Sequence, residues 1–117
     1  MTAPRFYKLE TYVPPEYAEA VKEALAAAGA GRWGAYDRCF WSTAGSGEFR
    51  PLAGAHPFLG AVGAVERVAE IKLETLCPAE RIDAAVAALK ESHPYEVPAF
   101  YLTPVSGPEF MNGETRK

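Results

Sequence analysis

Lys8-Leu9-Glu10-Thr11-Tyr12-Val13-Pro14-Pro15-Glu16 recurs as Lys72-Leu73-Glu74-Thr75-Leu76-Cys77-Pro78-Ala79-Glu80. The offset that carries Lys8 onto Lys72 also sets Ala20, Ala24, Leu25 and Ala35 on Ala84, Ala88, Leu89 and Ala99. Roughly one aligned position in three is identical from Lys8 to Asp37. A match sustained over that length marks one supersecondary unit used twice.

Each copy shows the same order of signals: alternating residues, a proline that ends them, an Ala-rich stretch of helical period, then a turn and an aromatic strand. In the first strand Tyr7, Leu9, Thr11 and Val13 alternate with Lys8, Glu10 and Tyr12. In its counterpart Ala69, Ile71, Leu73 and Thr75 alternate with Glu70, Lys72 and Glu74. Successive strand residues point to opposite faces, so one sheet face is apolar and the other charged. Helices are expected over about 15–28 and 79–92. Ala18, Val21, Leu25 and Ala28 form one buried stripe, and Ile82, Ala85, Val86 and Leu89 form the other.

Two β-α-β units in tandem predict an α+β fold, a ferredoxin-like βαββαβ sandwich. Both helices lie on the apolar face of a four-stranded antiparallel sheet, with a long loop between strands 2 and 3. At 117 residues and 49% apolar content the chain suits one domain, expected over 1–105, with 106–117 expected as a disordered tail.

The same offset lays Gly29-Ala30-Gly31-Arg32-Trp33-Gly34 over His93-Pro94-Tyr95-Glu96-Val97-Pro98. The second stretch is therefore a helix-to-strand turn. Pro94 stops the helix and disfavours α geometry at His93, while the first copy stops at Gly29. A histidine at a helix C-terminus needs no ligand. His93 and Glu96 are nevertheless candidate ligands for a divalent metal, alone or completed by His56, Cys39 or Asp37, or by the loop of a second subunit. A catalytic metal needs about three such groups, and two at a turn fall short.

Tyr36 to Val65 has no internal counterpart. A strand is expected to run to about Thr43, followed by an irregular 44–64 loop that is long enough to serve function or assembly. Gly45-Ser46-Gly47 lacks the Gly-Lys-Ser/Thr ending of a phosphate loop, and Gly60-Ala61-Val62-Gly63 lacks the β-α context of a dinucleotide fingerprint. Phe49, Phe58 and Leu59 are costly on a surface loop and suggest a subunit contact. Arg32 and Arg50 suit a carboxylate or phosphate ligand, or alternatively salt bridges to Asp37 or Glu48. Ser42, Ser46 or Cys39 with His56 or His93 forms no recognisable nucleophile and base pair.

A net charge of −3 and no Lys/Arg cluster argue against nucleic acid as a partner. The start, Met1-Thr2-Ala3-Pro4-Arg5, has no apolar leader, and no stretch approaches the roughly 18 apolar residues of a membrane span. A cytoplasmic protein with no membrane partner is expected. Cys39 and Cys77 form no metal or redox motif and read as buried small hydrophobes.

"GAGRWGAYDRCFW" at 29–41, "GSGEFRPLAGAHPFLGAVGAVERVAEIKLE" at 45–74 and "HPYEVPAFYL" at 93–102 together resemble the YqfO-type domain of Nif-three-like proteins, a relative of the CutA and PII folds. The resemblance covers about residues 6 to 104. In that family the domain often sits between halves carrying a dinuclear metal site, and those halves and their ligand motifs are not in this sequence. The resemblance implies a homo-oligomer, a trimer rather than a dimer, with the 44–64 loop placed where PII proteins meet protein partners. It supplies no ligand, since the PII phosphate-binding residues have no clear match, and Val97 departs from the acidic residues common there. The expected function is a non-catalytic ligand-binding or partner-regulating module with subunit clefts near Arg32, Tyr36, Asp37, Arg50, His93 and Glu96. The alternative is a metal-binding protein or small metal-dependent hydrolase using His93 and Glu96.

Overall fold

The computed structural model describes residues 4–106, so the expected tail lies outside the described residues except for Ser106. The strands are β1 (Phe6–Val13), β2 (Trp41–Phe49), β3 (Glu66–Pro78) and β4 (Phe100–Val105); the helices are α1 (Ala18–Ala27) and α2 (Ile82–Ser92). The sheet is antiparallel in the order β2-β3-β1-β4, which is the expected βαββαβ arrangement.

The repeated segments meet in the middle of this sheet, with Leu9 opposite Thr75 and Thr11 opposite Leu73. Pro14 and Pro78 end their strands in nearly the same geometry, φ −55°, ψ 142° and φ −58°, ψ 143°. Each then enters a single 3-10 turn, Pro15–Tyr17 or Ala79–Arg81, that leads into its helix. Gly29, at φ 107°, closes α1 in the left-handed region that suits glycine. His93 instead leaves α2 extended, at φ −80° and ψ 136°, because Pro94 forbids another helical residue.

The expected apolar face is the core. Leu9, Val13, Leu73 and Cys77 from the sheet pack with Val21 and Leu25 of α1 and Ala85 and Leu89 of α2. On the other face Glu10 stands opposite Glu74, a like-charge pair that would destabilise the sheet if left alone. Lys72 lies 3.4 Å from Glu10 and 3.9 Å from Glu74, and Lys8 lies 2.6 Å from Glu74, so the two carboxylates share cations.

The second copy's last strand starts at Phe100, whereas β2 starts at Trp41, beyond Tyr36, the residue that the repeat offset lays over Phe100. The intervening residues fold into a small Trp33–Tyr36 turn in which each backbone N–H donates to the other's carbonyl, at 2.9 and 3.0 Å. β2 also runs on to Phe49, through Gly45-Ser46-Gly47, so the irregular loop is 50–65 rather than 44–64. Pairing with Glu66–Glu70 of β3 supplies the hydrogen bonds that the glycines' weak strand propensity does not.

Candidate functional site

The turn after α2 is held by its own polar groups. His93 is 5% exposed. Its Nδ1 accepts the Tyr95 N–H at 3.2 Å, which leaves Nε2 to donate to the Tyr12 carbonyl at 2.7 Å. Burial pushes the imidazole pKa below its ordinary value, against the opposing pull of the Tyr12 carbonyl and Glu70. The Tyr95 hydroxyl donates to Glu70 Oε2 at 2.8 Å, and burial together with that carboxylate raises its pKa strongly. The His56 N–H donates to Glu96 Oε1 at 3.0 Å, which ties the 50–65 loop to the turn.

The loop's apolar residues close the same corner. Phe58 meets Tyr17 edge-on at 5.7 Å between ring centroids and lies 6.3 Å from Tyr95, while Phe49 is 6.1 Å from Tyr95. Phe49 and Phe58 thus touch rings of their own chain, while Phe58 stays 47% exposed, as a residue awaiting a subunit contact would. Between loop and turn remains a cleft of about 400 Å³ whose walls include Tyr12, Phe49, Phe58, Glu70, Tyr95 and Glu96.

Arg32, Tyr36 and Asp37 lie at the other end of the sheet. Gly31 N–H donates to Leu76 O at 2.8 Å, opposite Lys8 near the start of β1, whereas His93 bonds to Tyr12 near its end. A pocket of about 530 Å³ here is lined by Lys8, Arg32, Trp33, Phe40, Trp41 and Glu74. Tyr36 is 70% exposed and stands outside it. The Lys8 ammonium holds the Glu74 carboxyl below the usual carboxylate range. Arg38, at φ 55°, makes a bidentate pair with Glu23 at 2.7 and 2.9 Å.

Within one chain the six candidates therefore form two groups: Arg32, Tyr36 and Asp37 at one end, and His93 and Glu96 at the other, with exposed Arg50 following Phe49 at the loop entrance. Glu48 pairs with Arg67 at 2.8 Å rather than with Arg50. Among the described residues no group of three or more His, Cys, Asp or Glu side chains could hold a metal ion. Ligation through His93 would cost one of its two ring bonds. Sequence reasoning missed Glu70, Tyr95 and Gly47. A β-carbon on Gly47 would stand 2.5 Å from the Glu70 carboxyl carbon, so the bare glycine leaves room for the carboxylate that Tyr95 holds. The only signal was Glu70's place on the charged face. Cys77 is buried as expected, and burial pushes its thiol up to about 11, but Cys39 is only half-buried.

No family model matches the chain. It is similar to the GTP cyclohydrolase 1 type 2 homolog of Bacillus subtilis, 49% identical over 98 residues that cover 84% of this chain and 26% of that protein. The protein of the same name from Mycobacterium tuberculosis is 46% identical over 102 residues, covering 87% and 27%. Among solved structures, CutA1 from a Shewanella species superposes with a TM-score of 0.65 at 20% identity, covering 92% of this chain and 87% of that one. The Bacillus cereus protein related to NIF3 superposes at 0.78 with 36% identity, covering 92% and 27%. The fold is thus the CutA-like version of the ferredoxin-like sandwich. Within that class the chain is homologous to one segment of Nif-three-like (NIF3) proteins, the YqfO-type domain. It spans about a quarter of the length of the curated relatives it matches. No helix among the described residues is long and apolar enough to cross a membrane.

Proposed function

We propose that the chain is a non-catalytic oligomeric module that binds a small ligand, or meets a protein partner, at the cleft between the 50–65 loop and the His93–Glu96 turn. What carries this reading is that the titratable groups around the cleft are committed to structural bonds. His93 is bonded through both ring nitrogens, Tyr95 to Glu70, and Glu96 to the backbone of His56. A general acid or base must exchange its proton with substrate, and these groups hold the fold instead. The mostly apolar, aromatic walls have the character of a binding cleft.

Assembly is supported by β2, an edge strand with no proline and Glu48 as its one charged side chain. Edges that stay unpaired usually carry more protection than this. The resemblance to trimeric CutA and PII folds favours a closed ring of three over a dimer. The cysteines, outside any disulfide, suit the cytoplasm.

The test is a melting-temperature panel of nucleotides, small acids and divalent metals. A ligand at roughly 100 times its Kd adds about 2.7 kcal/mol to the folded state. The reading expects a shift for one compound class that Arg50→Ala or Glu96→Gln removes. A flat panel overturns the small-ligand part and leaves a protein partner at the loop.

A further inference from the structure

Arg32 and Arg81 are not explained by ion pairing. Among the described residues the side chains of Arg32 and Arg81 have no carboxylate within salt-bridge distance, in a chain whose net charge is −3. Both line one concavity of about 490 Å³, together with Arg5, Glu80, Gly29 and Gly34. The guanidinium groups of Arg32 and Arg81 share this space with Glu80 as the one carboxylate among its described lining residues, which makes it locally positive on an acidic protein.

The site is built from three segments that pin one another. The Arg5 carbonyl accepts the Ala79 N–H at 2.8 Å, which sets the start of β1 against the turn that carries Arg81. Gly31 is bonded on both sides, its N–H to Leu76 O at 2.8 Å and its carbonyl to the Cys39 N–H at 2.9 Å, so the backbone entering Arg32 is fixed. The aliphatic stem of Arg81 lies across Gly29, where a β-carbon would come within 2.9 Å of Arg81 Cγ. The absence of a side chain at Gly29 leaves room for that stem.

We propose that this concavity binds a small phosphoryl polyanion, of the phosphate or pyrophosphate type, between the guanidinium groups of Arg32 and Arg81. Guanidinium presents a planar fork of donors that matches such oxygens. Glu80 opposes the anion and limits affinity. The inference does not rest on the cleft at the His93 end, and its test turns on Arg32 and Arg81.

Calorimetric titration of the intact chain with inorganic pyrophosphate, at ionic strength balanced with sodium chloride, tests it. Saturable binding with a Kd below about 1 mM is expected. Arg32→Ala, and Arg81→Met, which keeps the stem over Gly29, should each weaken it about tenfold or more. Glu80→Gln should tighten it, and Arg67→Ala, which removes a positive charge outside the concavity, should leave it unchanged. Both arginines are exposed, and circular dichroism checks that the variants remain folded. No saturable heat, equal binding by the Arg32 and Arg81 variants, or equal loss in Arg67→Ala would overturn the site. Citrate binding as tightly as pyrophosphate would overturn the phosphoryl assignment.

Discussion

Thr11 and Thr75 make the same bond from equivalent places in the two copies. Thr11 Oγ1 donates to Ala99 O at 2.8 Å and Thr75 Oγ1 to Cys39 O at 2.7 Å. Both threonines are buried, and each fixes the chain just ahead of an edge strand, β4 or β2. Replacing either by valine keeps shape but leaves a carbonyl without its donor, so Thr11→Val and Thr75→Val should each cost about 1–3 kcal/mol. Serine should restore most of it. Denaturant midpoints measure this, and valine variants as stable as the parent would show that the bonds do not hold the edges.

His93 gives the fold a pH dependence. Its folded pKa lies below the unfolded value of 6.5, so the unfolded chain binds the proton more readily. The contribution is therefore fully present above 6.5 and is lost as pH falls through the folded pKa. Unfolding free energies compared between about pH 7.5 and 5.5 should fall more for the parent than for His93→Gln. Equal slopes would place the dependence elsewhere.

Gly47 and Gly45 should respond differently to alanine. Nothing lies within 4 Å of a β-carbon at Gly45, so Gly45→Ala should be neutral or stabilise by up to about 1 kcal/mol. At Gly47 the methyl meets the Glu70 carboxylate held by Tyr95. Gly47→Ala should cost about 1 kcal/mol by displacing that hydrogen bond, and Glu70→Ala should relieve much of the penalty in the double variant.

The two thiols should be told apart by a thiol reagent. Cys77 is fully buried with its pKa pushed up to about 11, while Cys39 is half-buried beside a pocket. One thiol should react with native protein and the second only on unfolding. Rapid reaction of both would mean that the core around Cys77 opens readily.

The fold was legible because its signals are local and doubled: two KLET strands, two prolines, two alanine-rich helices. What alignment did not reveal is where the copies diverge. The Trp33–Tyr36 turn moves β2 along the chain, and the glycines of 45–47 become strand only through pairing with β3, a tertiary effect that overrides propensity. The candidate site was legible in part. Pro94 made His93 a turn residue, but its bonds to Tyr12 and Tyr95, and the bond of Tyr95 to Glu70, depend on which strand lies beneath the turn. Arg32 was visible as a candidate for an anionic ligand or a salt bridge. Arg81 gave no signal, since its place over Gly29 and in the concavity that Arg32 also lines depends on the packing of the two copies.

The central claim is that β2 leaves an edge that other copies cover. Sedimentation equilibrium of the purified chain tests it most directly. The account predicts a single species of three times the 12.7 kDa chain mass, independent of concentration over the working range. A monomer would contradict assembly through the edge, and a stable dimer would contradict the ring of three.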